Sequence, residues 1–259
     1  MLFGASSGCY YPLETEKAVQ NVARHGFDGC EVFFNCASEI NASFFKDLRK
    51  IGNDAGMHFT SIHPFSSFAE THCLFGTYPK RSEEFFDFYK KHFELSDILG
   101  AKIFVVHGVV NRLRHIVTDD HYFEIFNRLV ETGKQFGVVV AQENVAKHLS
   151  ESPEFLVKMK EQLKDNFHLV FDVKQAVRAG YSPIEFAQSF SKDIVHVHIS
   201  DNDASHDCLP PGEGNFDFQQ LFDVLDKAQY KGEYIVEFYS NGLDVVREME
   251  RCTRFLSAF

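Results

Sequence analysis

The chain alternates between two rhythms of apolar and polar positions. Short runs rich in β-branched and aromatic residues recur near residues 2–6, 28–34, 58–63, 102–107, 138–143, 167–172, 194–199 and 233–238. Some are apolar without interruption, as in Ile103-Phe104-Val105-Val106 and Val138-Val139-Val140-Ala141. That is the pattern of parallel strands covered on both faces. Between these runs, apolar positions fall at helical spacing. Residues 82–99 carry Phe85, Phe88, Phe93, Leu95 and Leu99 as one stripe, and residues 120–136 carry Phe123, Phe126, Leu129 and Val130. Ser152-Pro153 and Ser182-Pro183 read as helix starts, serine as cap and proline at the first helical position. Helix-like stretches end near Gly26, Gly56, Gly100, Gly137 and Gly232, just before a strand. A glycine there takes the left-handed turn at little cost. Eight strand–helix units in this length predict an α/β fold, a single (β/α)₈ TIM barrel covering 1–259 as one domain. No GxGxxG follows the first strand, which argues against a dinucleotide site.

Composition narrows the class. The 259 residues are 44% hydrophobic and 24% charged, values of an ordinary globular chain, which excludes disorder and a fibrous protein. No apolar run is long enough to span a bilayer, and Met1–Tyr11 lacks the pattern of a secretory signal. The six cysteines form no CxxC pair and read as reduced thiols of a cytoplasmic protein. A net charge of −11 argues against a protein built to bind nucleic-acid phosphates.

The strand ends carry the chemistry. Side chains alternate across a strand, so the interior pairs read Ser61/His63, Val105/His107, Ala141/Glu143, Val170/Asp172, His196/His198 and Ile235/Glu237. From the third strand to the eighth, the last inward position is ionisable. Barrel enzymes keep their reacting groups at this end of the strands. Buried unpaired carboxylates are costly, so a structural explanation for the whole series is poor. Glu143, Asp172, His198 and Glu237 make a three-carboxylate, one-imidazole set that one divalent cation would hold together, Mn²⁺, Mg²⁺, Co²⁺ or Zn²⁺. His63 and His107 are candidates for substrate contact. His196, one layer below His198, reads first as a core imidazole and is kept as a substrate-contact candidate. Glu31 is a further ionisable group near the end of strand two. Helical His25, His92 and His121 read as solvated. The segment Pro210-Pro211-Gly212-Glu213-Gly214-Asn215 is either a phosphate-approaching loop, with Glu213 at the substrate, or a helix-entry turn. Lys147 and Lys174 are cations near the candidate residues in sequence, but spacing does not place their ammonium groups.

As an ordered set, several segments resemble one family: Gly26-Phe27-Asp28-Gly29-Cys30-Glu31, Gln142-Glu143-Asn144, Phe171-Asp172-Val173-Lys174-Gln175-Ala176, His196-Val197-His198-Ile199-Ser200-Asp201, Pro211-Gly212-Glu213-Gly214 and Ile235-Val236-Glu237. The chain resembles the xylose isomerase-like barrels, in particular the sugar phosphate isomerase/epimerase group, which also includes tagatose 3-epimerase-type enzymes and hydroxypyruvate isomerase and to which the family 2 apurinic-site endonucleases are related. The resemblance covers nearly the whole chain. It implies that Glu143, Asp172, His198 and Glu237 bind one divalent metal, with Glu143 and Glu237 as the acid/base pair. It also marks departures from the epimerase pattern: Gln175 stands where a histidine is expected, Ala204 for an arginine and Leu149 for a glutamate. Gln175 is therefore a substrate-contact candidate without the family's side chain, and a free ketohexose is not the expected substrate.

The expected function is a metal-dependent isomerase or epimerase of carbohydrate metabolism, acting on a small sugar, sugar phosphate or hydroxycarbonyl compound. The alternatives are a dehydratase-type lyase on the same metal site, a non-catalytic sugar-binding barrel and an apurinic-site endonuclease. The last needs a histidine where Gln175 stands and an Asp-x-His where this chain reads His206-Asp207-Cys208. The expected partner is a small carbohydrate, with no nucleic acid and no membrane, and a homo-oligomer is compatible with the fold.

Overall fold

The computed structural model describes residues 1–240 and 242–259. Eight parallel strands close into a barrel in the order β1 to β8. They are β1 (Phe3–Ser6), β2 (Gly29–Phe34), β3 (His58–Pro64), β4 (Ile103–Val106), β5 (Val139–Glu143), β6 (Leu169–Asp172), β7 (Ile194–Ile199) and β8 (Tyr234–Val236). The helices are α1 (Thr15–Arg24), α2 (Ala42–Ala55), α3 (Glu70–Cys73), α4 (Pro79–Leu99), α5 (Asp119–Gln135), α6 (Pro153–Leu163), α7 (Val173–Arg178), α8 (Pro183–Phe190), α9 (Phe218–Lys227) and α10 (Val245–Leu256). Every strand expected from the apolar pattern is present. None of the described helices is long and apolar enough to cross a membrane.

Local chemistry sets the boundaries. The Ser152 and Ser182 hydroxyls accept the Phe155 and Glu185 N–H groups, so both serines cap the helices that open on Pro153 and Pro183. Gly56 and Gly100 end α2 and α4 at φ +70° and +80°, a conformation that glycine adopts without a Cβ clash. Gly232 does not play this part. The left-handed residue after α9 is Gln229, at φ +63°.

The core has two compartments. Between strands and helices lies a continuous aromatic and aliphatic layer. Inside the barrel, Val105, Ala141 and Val170 pack with Ile103 and with Val195, which lies where the β6–β7 register shifts. The face of α4 differs from the expected stripe. Phe93 and Leu99 are buried, but with Phe86, Tyr89 and His92, while Phe85, Phe88 and Leu95 are only half-buried. Aromatics surround this helix on several sides, so periodicity alone does not select one face. His92 is consequently a core residue, not a solvated one. Its Nδ1–H donates to the Phe88 carbonyl at 3.0 Å, and its ring lies edge-on to Phe34, Phe88, Tyr89 and Phe104.

Candidate metal centre

The carboxyl ends of β5 to β8 converge on one point. Glu143 ends β5, Asp172 ends β6, His198 sits near the end of β7 and Glu237 follows β8. Glu237 still donates its backbone N–H to the Ile199 carbonyl at 3.0 Å, which extends the ladder and fixes its side chain at the mouth. His198 Nδ1 lies 3.1 Å from Glu237 Oε2, 3.5 Å from Asp172 Oδ2 and 3.7 Å from Glu143 Oε1. One ligand atom from each residue falls within 4.8 Å of all the others. Donors held at about 2.0–2.2 Å from one ion are separated by about 3–3.5 Å, so the set fits a divalent cation. His198 Nδ1 is buried without a hydrogen-bond partner, as a ligand nitrogen would be.

The opposite ring nitrogen is fixed from across the barrel. His198 Nε2 lies 3.0 Å from Glu31 Oε2, which also takes the Ser61 hydroxyl at 2.8 Å and His196 Nε2 at 3.1 Å. Donating Nε2–H to Glu31 leaves the Nδ1 lone pair facing the three carboxylates. Burial would raise the Glu31 carboxyl, but the charge of His198 and the bonds from both histidines hold it well below the usual range. Burial would equally suppress protonation of His198; Glu31 and Glu237 outweigh it and favour positive charge at this point.

A second group adjoins the first. His107 Nε2 is 2.9 Å from Glu143 Oε2 and 3.0 Å from His63 Nε2, and His63 Nε2 is 3.7 Å from the same carboxylate oxygen. Glu143 thus spans two sites, Oε1 toward His198 and Oε2 toward the histidine pair. These three residues, and likewise Glu31, His196 and His198, are grouped closely enough to hold a cation of their own. Burial works against charge on both partners, yet each holds the other charged: Glu143 stays well below the usual carboxylate range and His107 is raised.

Lys174 is the residue that spacing did not place. Its ammonium pairs with Asp172 Oδ2 and Glu237 Oε2, two oxygens of the metal set, and the side chain is buried. The cause is local. Asp172 is both the end of β6 and the cap of α7, its Oδ1 accepting the Gln175 N–H at 3.1 Å. The chain therefore turns at once and returns Lys174 over the carboxylate two residues before it. A helix start directly on a strand end is the sequence signal that would have found it.

The remaining candidates are dispersed. Gln175 is buried and its Oε1 accepts the Ala146 N–H at 3.1 Å, tying the loop after β5 to α7. His196 is fully buried below His198, bonded to Ser61 at 3.0 Å and to Glu31. Glu213 lies away from the cluster, paired with Arg251 of α10. Its loop is folded onto Asp201, whose carboxylate takes the N–H groups of Asn202 at 2.8 Å and of Gly212 and Phe216 at 2.9 Å. Those amides are committed to the protein itself, so this segment is the helix-entry turn and not a phosphate cradle.

Comparison with known proteins follows this geometry. An uncharacterized protein of Methanocaldococcus jannaschii is 26% identical over 99% of this chain and 89% of its own length. The inosose dehydratase of Clostridium perfringens is 24% identical over 86% of this chain and 81% of its own. Among solved structures, a D-tagatose 3-epimerase-like protein superposes with a TM-score of 0.80 at 24% identity, covering 100% of this chain and 98% of that one. The profile of the xylose isomerase-like TIM barrels matches residues 19–255. With the closed barrel, that match places the chain in the xylose isomerase-like TIM barrel family.

Proposed function

We propose that this chain is a divalent-metal-dependent enzyme that moves a proton on the carbon next to a carbonyl in a small hydroxycarbonyl compound of the carbohydrate type. The observation that carries the reading is the grouping of Glu143 and Glu237 with Asp172 and His198 in one cluster, with Glu237 also lining the cavity at the barrel mouth. When bound, the ion supplies Lewis-acid polarisation of the substrate carbonyl. Glu143, Asp172, His198 and Glu237 would hold it.

The two glutamates divide the proton work. Both are ionised at neutral pH: burial would raise each, but His107 holds Glu143 low and Lys174 with His198 holds Glu237 low. One carboxylate takes the α-proton, and the C–H electron pair moves into the carbonyl system. The carboxyl so formed returns the proton to the neighbouring carbon as the hydroxyl proton passes to the other oxygen, giving an isomer; an epimer requires that the other glutamate enter the step as its acid and deliver its proton from the opposite side. His107, 2.9 Å from Glu143 Oε2, is positioned to stabilise or pass on the proton that arrives there.

A second reading has specific support in the dehydratase named among the relatives. Loss of the α-proton followed by departure of a β-hydroxyl, protonated to water by the carboxyl that took the α-proton, uses the same groups. Incubation with candidate hydroxycarbonyl compounds in D₂O decides between them. Deuterium gained without any other change in composition marks the isomerase or epimerase, and loss of water marks the dehydratase. A metal-loaded protein that catalyses neither across a broad panel refutes the proposal.

A further inference from the structure

The barrel mouth is divided chemically. Metal-set and histidine groups come from β3 to β8. The wedge formed by β8, β1, β2 and β3 is walled instead by aromatic rings. Tyr11, Phe33, Phe65, Phe68, Phe238 and Tyr239 line a cavity of about 410 Å³ that opens onto Glu237. This is a ligand-sized volume. Phe33 also lies 4.9 Å, ring to ring, from His63, so the aromatic wall touches both sides of the centre.

Few polar groups in this compartment are free to meet a hydroxyl. The Asn35 amide donates to Thr15 Oγ1 at 2.7 Å and to the Phe33 carbonyl at 3.3 Å. The Tyr239 hydroxyl accepts from Arg178 at 3.0 Å. Glu237 is engaged by Lys174 and His198. Among the described side chains that line the cavity, the Tyr11 hydroxyl, the Tyr239 O–H as a donor, the Asn35 carbonyl oxygen and Glu237 Oε1 are what remain, against six aromatic rings. A polyol chain laid along the rings would surrender hydration at more hydroxyls than these few groups can serve. Tyr11, Phe68 and Tyr239 are nevertheless exposed at the rim, as rings awaiting an apolar ligand surface would be.

We infer that the substrate carries its reacting hydroxycarbonyl at the Glu237 end and a ring or carbon chain with few hydroxyl groups in the aromatic wedge. The inference deepens the proposed function and rests on it for the reacting end. The test compares three ligands on the manganese-loaded full chain: D-fructose, dihydroxyacetone, and an α-hydroxyketone bearing a phenyl group. Calorimetry reads affinity, and NMR in D₂O separately reads α-hydrogen exchange. The phenyl ketone is expected to bind at least tenfold more tightly than fructose. Phe33→Ser and Phe68→Ser, each verified by its metal content and circular dichroism, are expected to reduce that preference at least fivefold. Equal affinity for fructose and the phenyl ketone overturns the inference, as does a preference that survives both substitutions. So does a dimer in sedimentation that Phe68→Ser dissolves, because the rings would then belong to an interface between copies. A phenyl preference without exchange in any ligand upholds the apolar compartment and sinks the proposed chemistry. Exchange in dihydroxyacetone without a phenyl preference does the reverse.

Discussion

Lys174 and a divalent ion compete for Asp172 Oδ2 and Glu237 Oε2. Burial would lower the basicity of this lysine, but Asp172 and Glu237 raise it well above its ordinary value, so it stays a cation. Replacing it by the neutral Lys174→Met removes a like charge from the metal's position. The Kd for Mn²⁺ is expected to fall about tenfold, equivalent to about 1.4 kcal/mol. In chelator the same variant is expected to melt lower, because two buried carboxylates lose their cation. Titration calorimetry and thermal unfolding with and without EDTA read the two effects, and an unchanged Kd would refute the competition. His92 offers a separate prediction, remote from the metal set. Burial among aromatic rings lowers its pKa to about 4, against an ordinary value near 6.5. The unfolded chain therefore binds a proton that the folded chain refuses between these values. Stability supported by neutral His92 is present above about pH 6.5 and is lost as pH falls toward 4, by up to about 3 kcal/mol. His92→Leu should flatten that part of the stability–pH curve measured by urea unfolding. An unaltered slope would show that other groups cause it.

At the scale of elements, the turn after β4 positions the histidine pair. Gly108 has φ +87°, and a Cβ there would run into the Tyr122 hydroxyl. Its N–H donates to buried Glu70, which also accepts from Tyr89 at 2.5 Å. Burial lifts the Glu70 carboxyl to about 7 despite the neighbouring His107 charge. Gly108→Ala combines backbone strain with a steric clash, and about 2 kcal/mol of destabilisation is expected. For a chain of this length that lowers Tm by at least about 4 °C, and a shift below 1 °C would contradict the packing described. Element ends also show what spacing conveys. The Ser-Pro pairs at 152 and 182 are readable because capping is local chemistry between residues three apart. The buried face of α4 is not, because Phe85, Phe86, Phe88 and Tyr89 give apolar surface in several directions and only the neighbouring strands choose among them.

For the whole molecule, closure of the barrel is what creates the centre. β2 and β7 are not neighbours in the sheet, yet Glu31 reaches His196 and His198 across the interior. The four residues of the candidate metal set stand at the ends of four consecutive strands. Metal binding should therefore couple to global stability, since an ion held only by the folded barrel shifts the folding equilibrium. Mn²⁺ is expected to raise the Tm of the wild-type chain and not that of Glu143→Gln/Glu237→Gln, checked by calorimetry beside elemental analysis of both proteins. A rise of equal size in the double variant would show that the ion binds elsewhere.

The sequence by itself determined the barrel, because its eight apolar runs, their helical intervals and their caps are all properties of residues close in the chain. It also determined which strand ends are ionisable, since alternation along a strand decides what points inward. Only the tertiary structure decided how those groups are partnered. Glu31 looked minor because its partners lie 165 and 167 positions away. Lys174 could not be placed until α7 was seen to start on Asp172 itself. Glu213 stood in a glycine-rich segment compatible with ligand or with turn, and the fold gave the Gly212 and Phe216 amides to Asp201 and the Glu213 carboxylate to Arg251. Local patterns specify elements through short-range sterics and hydrogen bonds, whereas charge pairing at a convergent site depends on distances that exist only once the barrel has closed.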